Sequence, residues 1–229
     1  MSKRKRRKRN YAIYEGIRCA VTLTFISGYV NAFTYVTQRE RFAGVQTGNL
    51  LCFGINLAKG DWSRSFDFLL PIIVFMLGQS FTYLTHVWSN KHNYHWYRIA
   101  SRVLLGVATV AVIITPFVPD YYTIICLAFF ASVQVDTFKT LRGANYASVM
   151  MTGNVKNAAY LLTKGYVEKN RELQSIGRNT FLVLISFVLG VFCSTTLSLH
   201  FGEWALAGML IPLVYLKALL REDYDFDQA

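Results

Sequence analysis

Six long apolar runs dominate the sequence: Cys19 to Val36, Phe66 to Trp88, Val103 to Val118, Thr123 to Phe138, Phe181 to Leu199 and Trp204 to Leu220. Each is close to the roughly 17 to 25 helical residues that cross a hydrocarbon core about 30 Å thick. In such a core every backbone polar group has to be bonded within the chain, which a helix achieves by itself. The expected fold is therefore an all-α integral membrane protein with six transmembrane helices. With 229 residues in all, the runs leave no room for a separate soluble domain. A hydrophobic content of 53% against 16% charged residues agrees with that class.

The formal charge of +11 is unevenly placed, since seven of the 24 Lys and Arg fall between Lys3 and Arg9. A basic cluster ahead of an apolar run is held on the cytoplasmic side by anionic lipid and the membrane potential. Residues 1–11 thus read as a cytoplasmic tail whose partner is anionic lipid, and no nucleic acid is expected as a partner. Residues 12–222 form a single membrane domain, and 223–229 a short acidic tail, also cytoplasmic. No small-x-small site follows the first apolar run, so cleavage of a leader is not expected. Cys19, Cys52, Cys126 and Cys193 lie in or beside apolar segments without metal-ligand spacing, and read as small hydrophobes.

The two halves resemble each other. Ser27 to Phe33 falls on Ser132 to Phe138 at an offset of 105 residues, and that register carries Asn31 onto Asp136, Thr47-Gly48-Asn49 onto Thr152-Gly153-Asn154, and Lys59-Gly60 onto Lys164-Gly165. Further on, Val74 to Gly78 falls on Ser186 to Gly190 at an offset of 112. Repeat one spans about 12–118 and repeat two about 119–222. Each reads as a long helix, a polar turn, a short Thr-Gly-Asn helix, a basic loop and two further helices. Transporters are often built from such duplicated units with broken helices near the midplane.

The segments Ser27-Gly28-Tyr29-Val30-Asn31-Ala32, Gln46-Thr47-Gly48-Asn49-Leu50 and Met151-Thr152-Gly153-Asn154 resemble the YoaK-like family of bacterial polytopic membrane proteins, a group with a domain of unknown function. The resemblance covers nearly the whole chain after the basic tail. It implies the fold and a cell-membrane location, and it brings no substrate. Family members commonly carry Asp where this chain has Asn31.

Whether the two Thr-Gly-Asn segments cross or re-enter decides the topology. Val45 to Ala58 is only fourteen residues long, and Gln46, Thr47, Asn49 and Asn56 would be costly against lipid. If both segments cross, there are eight crossings and the fifteen loop cations after Arg18 divide eight inside to seven outside. If both re-enter, eleven of the fifteen fall inside, the repeats are antiparallel, and both termini are cytoplasmic. The positive-inside tendency favours re-entry.

Asp136 is the one carboxylate well inside an apolar run, where a charge is expensive unless paired, hydrated or protonated. It suits coupling to a proton or binding a cationic group, or else a structural bond to Asn31 or Lys156, which shares a helix face with Thr152. The motif residues Thr47, Gly48, Asn49, Thr152, Gly153 and Asn154 offer hydroxyls, amides and close backbone approach, for a solute held in one shared site or for packing of two related helices. Gln46, Gln79 and Gln134 are candidates to line a polar cavity, and Gly78 and Gly190 are packing positions. His92 and His95 lack a third ligand at a convincing spacing, so neither a metal nor any cofactor is expected. The sequence contains no phosphate loop, zinc-protease motif or nucleophile elbow, which argues against an enzyme. Two function classes follow: a small-solute transporter or permease with a site between the repeats, and a membrane scaffold or accessory subunit. A homo-oligomer is compatible with either.

Overall fold

A computed structural model describes residues 12–227, with side chains as far as 221, so the basic tail of 1–11 lies outside the described residues. After a short 3-10 turn (Ile13–Glu15) come α1 (Ile17–Thr37), α2 (Gln46–Ala58), α3 (Trp62–Lys91) and α4 (Trp96–Ile114). The second half follows with α5 (Asp120–Thr137), α6 (Met151–Val167), α7 (Arg171–Phe201), a 3-10 stretch (Gly202–Met209) and α8 (Leu210–Asp227). One feature is not helical. Thr140–Leu141 pairs antiparallel with Ala144–Asn145, the chain turning through Arg142 and Gly143, both left-handed, in the loop before α6.

The sides of the helices show what solvent they were selected for. On α7 the buried positions are mostly small or hydroxylic, among them Gly177, Ser186, Gly190, Ser194 and Ser198, while Phe181, Leu182, Ile185, Val188, Leu189, Phe192 and Leu199 are exposed. α3 follows the same rule, burying Ser65, Gly78, Thr82 and Ser89 and exposing Ile73, Met76, Leu77, Leu84 and Val87. In water this arrangement would leave a very large apolar surface uncovered; in lipid it is the expected one, because small residues let helix backbones approach. Four stretches are long and apolar enough to cross a membrane: α1, α3, α4 with its 3-10 extension, and the continuous Arg171–Arg221 run. That last run joins two of the six apolar segments. α5, with Asp120, Gln134 and Asp136 in its 18 residues, is too polar to qualify.

Packing fixes the directions. α1 lies along α7, with Ser186 Oγ donating to the Val21 carbonyl at 2.7 Å. Further along, a methyl group on Gly190 would overlap the Phe25 carbonyl and one on Gly28 the Phe187 carbonyl. The paired positions rise together, so α1 and α7 run parallel. α3 and α5 are parallel as well: Arg39 bridges Asp67 and Asp120 near their starts, and farther on Ser132 Oγ donates to the Phe75 carbonyl while Gln79 Nε2 donates to the Ser132 carbonyl and hydroxyl. α2 packs along α3, α6 along α7, and α4 against α5 and α8.

α1 is apolar all round and largely buried, as the central helix of a bundle should be. Thr22, Thr24 and Thr37 donate their hydroxyls to carbonyls one turn back, at 2.8 Å each, which removes unbonded polar groups from the interior. Two helix starts carry side-chain caps: Asp61 accepts the Arg64 amide and opens α3, and Asn170 accepts the Glu172 and Leu173 amides and opens α7.

Candidate functional site

The segment between α1 and α2 does not stay at the helix end. Asn31 Oδ1, six residues before α1 stops, accepts the amides of Gly44 at 2.8 Å and Val45 at 3.1 Å, so the chain has come back alongside α1 before α2 begins. α2 then returns: Arg64, just beyond it, donates to the Arg39 carbonyl at 2.7 Å. Asn31 therefore stands in for the missing side-chain cap on α2. The corresponding Asp136 has no such task, because α5 ends one residue after it whereas α1 continues to Thr37.

The Thr-Gly-Asn helices hold their own approach loops. Asn49, fully buried, accepts the Phe42 amide at 3.0 Å and donates to the Phe42 carbonyl at 2.7 Å and to Gln46 Oε1 at 2.9 Å, while Gln46 Nε2 donates to the Ala43 carbonyl. Asn154 repeats the bond seven residues back, donating to the Ala147 carbonyl at 2.8 Å. Thr47, Thr152, Gly153 and Lys156 face outward. A methyl on Gly48 would meet the Phe42 ring at 2.8 Å, and one on Gly153 would meet nothing within 4 Å. No extended interface joins α2 to α6 among the described residues; their approach loops meet instead, where Gly44 lies against Val149. Gln134 is buried beside that junction and donates to the Leu23 carbonyl at 3.0 Å and Ser148 Oγ at 2.8 Å.

Two cavities flank this centre. The larger, about 620 Å³, lies among α3, the start of α4, the end of α5 and the 3-10 turn before α1. Gln79, Trp96, Tyr97, Asp136 and Thr137 line it, with Glu15, Lys139 and Thr140 on one side and Tyr83 and His86 on the exposed face of α3. Asp136 pairs here with Lys139 at 2.5 Å and not with Lys156, because Lys139 is the next residue round the helix end while Lys156 points away on α6. The acid thus sits in the last turn of α5 rather than deep in an apolar run. Glu15 Oε1 accepts the Thr140 hydroxyl at 2.8 Å, and the Tyr14 ring stacks on Tyr97 at 3.6 Å, closing the floor.

The smaller cavity, about 280 Å³, lies between α1 and α7, lined by Asn31, Ala32, Tyr35, Val36, Val191 and Thr195 among others. At the offsets of 105 and 112 residues, Asn31 and Ala32 correspond to Asp136 and Thr137, and Val191 and Thr195 to Gln79 and Tyr83. The two linings thus share residues related by those offsets, one lining polar and acidic, the other nearly all apolar. Of the residues singled out by sequence, Asp136 and Gln79 reach the larger cavity and Asn31 the smaller; Gln46, Gln134 and the Thr-Gly-Asn residues line neither.

A model of the family described as proteins of unknown function, DUF1275, matches residues 19–219. The chain belongs to that family. No curated protein and no solved structure matches it. The family span takes in both Thr-Gly-Asn helices and Asp136, and leaves Glu15 just outside.

The far end of the molecule carries a network that the apolar pattern concealed. Arg41, 1% exposed, donates Nε to the Gln38 carbonyl at 3.0 Å and its terminal nitrogen to Asp120. Arg39 joins Asp67 at 3.3 Å, and Arg64 joins Glu40 at 3.2 Å and Asp67 at 3.6 Å. Burial lowers the Arg41 pKa from its ordinary value, and the nearby Asp120 and Asp67 oppose that fall. Arg39 and Glu40 both adopt left-handed backbone, at φ 56° and 61°, which is uncommon outside glycine and aims Arg39 and Arg41 at the same carboxylate.

Proposed function

We propose that this protein is a small-solute transporter or permease whose solute occupies the cavity beside Asp136. The observation that carries the reading is a polar cavity of solute size set into a bundle whose outer face is apolar. Its apolar counterpart in the other half supports an origin by duplication, as does the bond that Asn49 and Asn154 each make seven residues back. We read the repeats as inverted, each with a re-entrant Thr-Gly-Asn helix, and the chain as crossing the membrane six times. The contacts of Arg39 with Asp67 and Asp120 favour that arrangement, because they set the end of α1 beside the starts of α3 and α5, whereas eight full crossings would put those starts at the opposite end. The resemblance of its motifs to YoaK-like bacterial proteins carries the same expectation of a cell membrane. The N-terminal tail then meets anionic lipid on the cytoplasmic side, and a homo-oligomer would cover part of the apolar surface.

The competing reading is a membrane scaffold, favoured by the local, loop-holding bonds of both Thr-Gly-Asn motifs. Reconstitution into liposomes and a flux screen over solute classes separates the two. Flux by the wild type that disappears in Asp136→Asn, with thermal stability retained, supports transport through this cavity. A folded protein that moves none of the solutes points to the scaffold.

A further inference from the structure

We infer that the solute of this cavity is a small organic cation, an amine or ammonium carried on an apolar body; this rests on the transport reading above and names its substrate class. Three features of the cavity lead there. The first is charge. Among the described residues, Asp136 and Glu15 contribute two carboxylates to the lining and Lys139 one ammonium, a formal balance of one negative charge. Asp136, 23% exposed in the last turn of α5, is paired among those residues only with an exposed lysine, and a solute cation can take that lysine's place.

The second is the wall. Trp96, 6% exposed and beside His86, and Tyr97, with one face stacked on Tyr14, form one side, and the exposed Tyr83 stands at the α3 edge. Trp and Tyr faces carry negative potential and attract ammonium groups, and their ring area accommodates the apolar body of the same solute. Among the described lining residues an anionic solute would face these rings and two carboxylates with one lysine in its favour.

The third is the place of Lys139. Its side chain is 63% exposed and reaches back three residues to Asp136, so a tethered ammonium already sits where the solute's charge would go. An ion pair with so exposed a lysine is weak, of the order of 0 to 1 kcal/mol, and an incoming amine can displace it. Lys139 therefore competes with the solute for Asp136.

The test uses the purified full chain in detergent and isothermal titration with three probes of one shape: benzylamine, benzyl alcohol and benzoate. We expect benzylamine to bind about tenfold more tightly than benzyl alcohol, and benzoate to bind more weakly than either. Asp136→Asn should erase the preference for the amine. Lys139→Gln, which alters an exposed side chain and leaves the core untouched, should strengthen amine binding several-fold. Equal binding of all three probes, a preference for benzoate, or amine binding weakened by Lys139→Gln overturns the inference. Amine binding without flux in liposomes would leave the cation site standing and remove the transport reading. Flux of a neutral or anionic solute without amine binding would do the reverse.

Discussion

Arg41 has the most demanding environment of any single side chain here. Among the described residues it is the largest that is fully buried; it lies in a loop between two helices and satisfies itself with one carboxylate and one carbonyl. Removing it leaves Asp120 only the longer contact with Arg39, at 3.9 Å, and frees a turn already held in left-handed conformation. Arg41→Ala should therefore cost about 2 to 4 kcal/mol, less than a fully dry pair because Asp120 is 24% exposed. Arg41→Lys should recover only part of it, since an ammonium cannot span both partners as the guanidinium fork does. Thermal melting of the purified variants measures both, and an unchanged melting temperature in Arg41→Ala would refute the role. This residue was invisible in the sequence except as one more loop charge, because its partner Asp120 is 79 positions away and no periodicity links them. Asp136, by contrast, was legible as an unusual acid, but its neighbour was not: where α5 would stop decides whether Lys139 or Lys156 comes within reach.

At the scale of helices, the apolar runs and the Thr-Gly-Asn segments were legible because length and polarity depend only on local sequence. What those short helices touch was not, since it depends on how far α1 extends and how the chain folds back along it. Two consequences can be measured. A methyl on Gly190 collides with backbone rather than with a movable side chain, and α1 and α7 share the most extensive contact in the fold, so Gly190→Ala should lower stability by about 2 kcal/mol or more. Gly153→Ala should be neutral or stabilising by up to about 1 kcal/mol, because the new methyl meets open space and alanine favours the helix. Melting temperatures that fall equally in the two variants would contradict the packing described. Asn49→Ala and Asn154→Ala should each cost about 1 to 2 kcal/mol by leaving buried loop groups unbonded. With no extended interface between α2 and α6, the double mutant should show the sum of the two losses. A marked departure from additivity in a double-mutant cycle would indicate a shared site.

For the molecule as a whole, the helix directions sort the charges into two ends. The end of α1 meets the starts of α3 and α5 through Arg39, Arg41 and Arg64, and the carboxylates of Glu40, Asp67 and Asp120 hold those cations in ion pairs. At the opposite end the Glu15 carbonyl accepts the Arg142 amide, and α7 begins beyond the start of α1, with Val183 packed beside Ile17 and Ala20. Lys139, Lys169, Arg171 and Arg178 are exposed at that end, outside any network as extensive as the first. Lys and Arg near membrane ends are retained on the cytoplasmic side, so the second end is expected inside and the Arg41 network outside. Ser63 and Lys169 are both exposed and lie at opposite ends. In a background lacking Cys19, Cys52, Cys126 and Cys193, Ser63→Cys should react with an impermeant maleimide on intact cells, and Lys169→Cys only after permeabilisation. The reverse pattern would invert the orientation and place the Asp136 cavity toward the outside. Labelling of both from one side would mean that α2 and α6 do not return to the ends from which they came, and the inverted, re-entrant arrangement would fall with it.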